Sequence, residues 1–341
     1  MELPSLIFGA MAHHGAGDDE ARVALMRGAA DAGFRAFDTA PLYGFGASER
    51  NLGRALKGRD DVLVLTKVGL TWGDTHGDVL FETPTHQVRK DSRPESVLRE
   101  IDQSLERLGR DKIDLVQVHH PDVHVPIAET MSALLDARAA GKVGAIGVSN
   151  HTPAQMREAA RALGDVRLFS AQDRYNLVYR EAEAEELPVC RELGCAFLAF
   201  SPLAQGVLTG ALMGGRRLDP SDWRSGDPKY REKNLRAIHA AMEASLRPAA
   251  RRRGATLGQI ALAWLIAERD VTSVIAGART LEHATANLGA ATVELDAAER
   301  AAIRGAFEAL RIDDRVGRRE RAKRLAGRGL AKLRKVLGRD A

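Results

Sequence analysis

Along the chain, short apolar runs alternate with longer stretches whose apolar residues recur every three or four positions. The short runs are Leu6–Ala10, Arg35–Asp38, Val62–Thr66, Asp114–Val118, Ala145–Val148, Leu168–Gln172, Ala196–Phe200 and Thr272–Ile275. Each is too short for a helix, and several are rich in Val, Ile and Phe, which predicts strands. Among the longer stretches, Arg93–Gly109 sets Val97, Ile101, Leu105 and Leu108 on one face, and Gly109 supplies a stop. Glu129–Ala140, Pro153–Leu163 and Thr256–Glu268 read the same way. Alternation of strand and helix predicts a parallel sheet, and eight repeats predict closure into a (β/α)8 TIM barrel of the α/β class.

Two connections are too long for simple joints: Gly69–Ser92 after the third strand and Leu203–Lys233 after the seventh. Both follow the carboxyl end of a strand, where barrel enzymes build their sites, so both are expected to be working loops. Trp72 and Trp223 lie in them although aromatic residues are only 5% of the chain. With Met11 they are the candidate walls of a substrate pocket.

A chain of 341 residues with 45% hydrophobic content can bury a sizeable core, and α/β barrels of this length often form one domain. Two cysteines, Cys190 and Cys195, are too few for a disulfide framework and point to a reducing, cytoplasmic setting. The opening Met-Glu-Leu-Pro-Ser-Leu has no basic region followed by an apolar run, so no signal peptide is expected. No stretch approaches the roughly 20 apolar residues of a membrane span.

The net charge of +4 is unevenly placed. Residues 311–341 hold 12 Lys/Arg against 4 Asp/Glu, which leaves residues 1–310 with a net charge of −4. The expected organisation is therefore a barrel over 1–310 and a basic C-terminal tail over 311–341. The body gives no reason to expect nucleic-acid binding. In the tail, Ala322, Leu325, Ala326, Leu330, Leu333, Val336 and Leu337 gather on one side of a helix, with Lys and Arg on the rest. Such a helix can pack on the barrel, rest on an anionic membrane surface, or bind an acidic protein or nucleic acid.

Four chemistry-bearing residues are expected at one rim. Asp38 ends the second strand and Tyr43 follows it; Lys67 ends the third strand and His119 the fourth. Reducing a carbonyl needs a hydride at carbon and a proton at oxygen. Tyr43 can give the proton, but a free phenol has a pKa of about 10. A nearby Lys67 is expected to lower that value, Asp38 to hold Lys67 charged, and His119 to orient the carbonyl oxygen. Strand alternation allows one residue of the His119-His120 doublet to face the pocket, and the spacing from Asp114 favours His119. The pairs His13-His14 and His119-His120 do not suggest a metal site, because adjacent residues on a strand cannot both ligate one ion.

At these residues the sequence resembles the aldo-keto reductase superfamily over about residues 5–310. The resemblance is carried by Asp38-Thr39-Ala40, Tyr43-Gly44 and Ser48-Glu49, by Thr66-Lys67-Val68-Gly69, by Ile113-Asp114-Leu115 with Gln117, His119, Pro121 and Asp122, and by Ile146-Gly147-Val148-Ser149-Asn150. The long third loop and the run from Ser201 to Gly210 resemble the branch of bacterial general-stress reductases and potassium-channel β subunits. The resemblance implies that Asp38, Tyr43, Lys67 and His119 are the catalytic tetrad.

No Gly-x-Gly-x-x-Gly opens a helix after a strand, so a Rossmann domain is not expected and a cofactor must lie across the barrel mouth. By the resemblance, Ser149, Asn150 and Gln172 hydrogen-bond the nicotinamide amide and Phe200 stacks on its ring. Ser201, Pro202, Leu203, Ala204, Gln205 and Gly206 form the loop over the pyrophosphate. Gly277, Arg279, His283 and Asn287 line the adenosine 2′-phosphate pocket, which favours NADP(H) over NAD(H). The expected function is an NADP(H)-dependent oxidoreductase that reduces an aldehyde, ketone or sugar carbonyl, or oxidises the alcohol, with Tyr43 as general acid/base. The alternatives are a sugar 1-dehydrogenase working oxidatively and a cofactor-sensing regulatory subunit.

Overall fold

The computed structural model describes residues 1–11, 19–213, 218, 224 and 230–313. The strands are β1 (Leu6–Gly9), β2 (Ala36–Asp38), β3 (Leu63–Val68), β4 (Leu70–Trp72), β5 (Val79–Glu82), β6 (Gln87–Lys90), β7 (Ile113–Val118), β8 (Val143–Ser149), β9 (Ser170–Arg174), β10 (Ala196–Phe200) and β11 (Ser273–Gly277). The helices are α1 (Asp19–Ala32), α2 (Ala47–Ala55), α3 (Pro94–Leu108), α4 (Ile127–Ala139), α5 (Pro153–Ala162), α6 (Glu186–Leu193), α7 (Glu232–Ala241), α8 (Arg247–Arg253), α9 (Leu257–Ile266), α10 (Leu281–Leu288) and α11 (Ala297–Glu308).

Eight strands close into a parallel barrel in the order β1-β11-β10-β9-β8-β7-β3-β2. All eight expected strands are present, with β8 starting two residues early and β9 shifted to Ser170–Arg174. The four expected helices form as well. Thr152 with Gln155 and Thr256 with Gln259 build capping boxes at α5 and α9, and Gly109 ends α3 in the left-handed conformation at φ 62°. α9 is apolar on nearly all sides and correspondingly buried, from Leu257 through Trp264 to Leu265.

The connection Gly69–Ser92 is not only a loop. It folds into a small antiparallel sheet in the order β4-β6-β5 beside the barrel mouth. Much of Leu203–Lys233, Trp223 included, and the tail beyond Asp313 fall outside the described residues. Among the described residues, no helix is long and apolar enough to cross a membrane.

The barrel interior is layered. Ile7, Ala36, Leu65, Leu115, Leu198 and Ile275 form one apolar cluster, separate from the larger core between barrel and helices. Two residues further along their strands, on the same face, stand Asp38, Lys67 and Gln117. A period of two along parallel strands thus turns an oily floor into a polar mouth.

Candidate active site

Lys67 is 1% exposed at the end of β3. Its ammonium donates to Asp38 Oδ1 at 2.7 Å, to the Thr39 carbonyl at 3.0 Å and to the Tyr43 hydroxyl at 3.4 Å. Three acceptors satisfy a group that could not otherwise be buried. Tyr43 sits in a tight loop fixed by Gly46 N–H to the Pro41 carbonyl at 2.7 Å and by Ser48 N–H to the Tyr43 carbonyl at 3.1 Å. Glycines at 44 and 46 take the left-handed conformation this loop requires.

Burial by itself would push the Lys67 ammonium down, but Asp38 and Tyr43 together hold it above its ordinary value. The expected lowering of the Tyr43 pKa is not found. Burial raises the phenol; Lys67 opposes that, Asp38 adds to it, and the balance lies above the ordinary value. Burial also drives His119 well below the usual imidazole range, with help from Lys67 and His120, so His119 is neutral near pH 7.

The His doublet departs from strand alternation. β7 ends at Val118, and the rings of His119 and His120 stack at 5.3 Å with an interplanar angle of 13°. Beyond the strand, adjacent side chains need not face apart. His119 lies edge-on to Tyr43 at 6.1 Å between ring centroids, and His120 backs it.

Around this group the amides gather. Asn150, in the left-handed conformation at φ 57°, donates from Nδ2 to the His119 carbonyl at 2.9 Å and to Ser149 Oγ at 3.0 Å. Gln172 donates to Asp38 Oδ2 at 2.8 Å, so both carboxylate oxygens of Asp38 are held. Phe200 ends β10 half-buried; Pro202 and Leu203 follow it. Ser201, Ala204, Gln205 and Gly206 all have positive φ, which the three that are not glycine adopt at a cost.

Across the mouth, Thr280 caps α10 by accepting from the His283 N–H at 3.2 Å, and Asn287 Nδ2 donates back to the Gly277 carbonyl at 3.3 Å. Arg279 and His283 are exposed, and among the described residues no carboxylate pairs with Arg279. Met11 is 49% exposed. Trp72 is half-buried and packs edge-on against Phe45 at 5.4 Å, and Phe45 stacks on His86 at 4.1 Å. Phe45, His86 and the Thr39 carbonyl were not singled out from the sequence. The turn Tyr43-Gly44-Phe45 carries no periodicity, and a backbone acceptor leaves no trace in residue type.

A closed parallel barrel whose mouth holds a buried ammonium–carboxylate pair against a phenol and a neutral imidazole has the make-up of a barrel oxidoreductase. The chain belongs to the aldo/keto reductase family, whose model matches residues 5–308. It is 34% identical over 283 residues to the NADH-specific methylglyoxal reductase of Escherichia coli (strain K12), covering 82% of this chain and 85% of that protein. It is 30% identical over 312 residues to an NADP(+) aldo-keto reductase of Schizosaccharomyces pombe, covering 90% and 89%. The fold is similar to that of a glycerol dehydrogenase from Gluconobacter oxydans, with a TM-score of 0.82, 30% identity and coverage of 93% and 94%.

Proposed function

We propose that this chain reduces a small aldehyde, ketone or sugar carbonyl, with Tyr43 as the proton donor and a nicotinamide dinucleotide as the hydride source. The observation that carries the reading is the single ammonium of Lys67, which touches both Asp38 Oδ1 and the Tyr43 hydroxyl. When bound, a reduced nicotinamide would supply the hydride that the carbonyl carbon needs. Tyr43 gives its proton to the carbonyl oxygen, and the Lys67 charge stabilises the phenolate left behind. Asp38 keeps Lys67 charged. Neutral His119 retains an N–H with which to hold the same oxygen and does not compete as an acid.

The residues present fit a dinucleotide laid over the mouth. Ser149, Asn150 and Gln172 offer amide and hydroxyl partners to a carboxamide, and Phe200 offers a ring face. The loop 201–206, left-handed at Ser201, Ala204, Gln205 and Gly206, suits a pyrophosphate. Gly277, Arg279 and His283 stand at the start of α10, where an anion is favoured, and Asn287 reaches back from its last turn to the Gly277 carbonyl. Met11 and Trp72, with Trp223, are proposed to wall the substrate. The test is consumption of reduced cofactor with a panel of short hydroxy- and keto-aldehydes. Oxidation of polyols and sugars forms the reverse arm, which the likeness to a glycerol dehydrogenase favours.

The proposed preference is NADP(H), with NAD(H) accepted, because Arg279 is exposed and no carboxylate among the described residues pairs with it. Arg279→Ala should weaken NADPH by about 1.5–3 kcal/mol, one charge-assisted contact, and barely change NADH. Fluorescence titration of both cofactors measures this. Equal losses would show that Arg279 does not read a 2′-phosphate.

We also propose that the barrel of 1–310 is the complete catalytic unit and that the basic tail makes peripheral contact with anionic membranes. A chain ended after Arg311 should keep its turnover and lose binding to anionic vesicles, most clearly at low salt. Full-length protein that ignores such vesicles would refute the membrane contact. A truncated chain that folds without turning over would refute the division.

A further inference from the structure

We propose that Gln117 is a positioning residue for the cofactor subsite: together with Asp38 it fixes which end of the Gln172 amide meets the ring substituent, so that the site recognises a carboxamide through its N–H. The inference rests on the nicotinamide reading above and adds the residue behind it.

Gln172 is 3% exposed, and its Nε2 lies 2.8 Å from Asp38 Oδ2 and 3.4 Å from Gln117 Oε1. An amide nitrogen has two N–H groups, and both of these partners only accept. Both protons of Gln172 are therefore spent inside the protein, and its Oε1 alone is left for anything arriving at the mouth. Flipping the Gln172 amide would set its oxygen against a carboxylate oxygen and an amide oxygen at once.

Gln117 is fixed in its turn. It is fully buried, and Ser170 Oγ donates to its Oε1 at 3.3 Å. Gln117 pairs in register with Lys67 on β3 and with Gly147 on β8, and Gly147 pairs with Ser170 on β9. Gly147 is what lets the two side chains meet across β8. A Cβ there would come within 2.3 Å of Ser170 Oγ and 3.1 Å of Gln117 Cγ. Gln117 Nε2 has no partner among the described residues. A buried orphan donor is costly, and a leucine above the apolar floor would avoid it. The benefit of the amide falls on Gln172 and, through it, on both the Asp38 rotamer and the face offered to the cofactor.

The experiment compares the oxidised dinucleotide with its 3-acetylpyridine analogue, which keeps the ring carbonyl but has no N–H to donate. Dissociation constants come from quenching of tryptophan fluorescence. The wild type should prefer the carboxamide by about tenfold, the worth of one hydrogen bond. Gln117→Leu should bring that ratio to within about threefold, while affinity for adenosine diphosphate-ribose, which lacks the ring, stays the same. Gln117→Met serves if the leucine variant does not fold. A folded Gln117 variant with an unchanged ratio would overturn the proposal. A wild type that binds neither dinucleotide would instead overturn the nicotinamide reading beneath it.

Discussion

Tyr43→Phe should abolish carbonyl reduction and leave cofactor affinity nearly intact. Phenylalanine keeps the ring and the packing of the 41–46 loop but removes the hydroxyl that Lys67 contacts at 3.4 Å. Neutral His119, with its pKa driven well below the usual range, is a poor substitute acid near pH 7. The expected loss is on the order of 10²-fold or more. Retention of more than about a tenth of wild-type turnover, ~1.4 kcal/mol, would show that another group donates the proton. The pH profile of the wild type follows the same logic. Reduction needs the phenol protonated, which holds below its pKa, and burial raises that pKa. Reduction should therefore be flat across about pH 7–9 and fall only at or above the ordinary phenol value of about 10. An alkaline limb centred near pH 7 would contradict the assignment.

Lys67→Met should have an effect of similar size for a different reason. It removes the charge that favours the phenolate, so turnover should fall by about 10²-fold or more. The phenol should also rise further, moving the pH dependence of the oxidative direction to higher pH. In addition the variant strands Asp38, which is 3% exposed, without its counter-ion. Breaking a buried pair typically costs about 3–5 kcal/mol. Gln172 still holds Asp38 Oδ2 at 2.8 Å, so the loss should sit near the lower figure. Urea denaturation measures it. Unchanged stability together with unchanged turnover would mean that the Asp38–Lys67 pair is not central to the site.

The barrel strands were legible because each is a bounded apolar run, and the four helices because period and caps agreed, as at Thr152 and Gln155. The small sheet was not. Leu70–Trp72, Val79–Glu82 and Gln87–Lys90 are too short for alternation to stand out, and Gly73, Gly77 and Pro84 between them read as loop. The meeting of Asp38, Tyr43, Lys67 and His119 could be anticipated, since each closes or follows a strand end. The sign of the Tyr43 shift could not, because it depends on how burial weighs against Lys67, and burial is a property of the assembled mouth. Likewise Gln172 could be placed from the sequence, but its partners, Asp38 and Gln117, come from other strands of the closed barrel.

The most direct test of the central claim is to follow the hydride. Reduced cofactor carrying deuterium at both C4 positions is incubated with the protein and a short aldehyde that it consumes, and the alcohol is weighed by mass spectrometry. Each product molecule should carry one deuterium on its carbinol carbon, and Tyr43→Phe should bind the cofactor and form product at least about a hundredfold more slowly. Product without deuterium, or deuterated product formed by Tyr43→Phe at the wild-type rate, would contradict it.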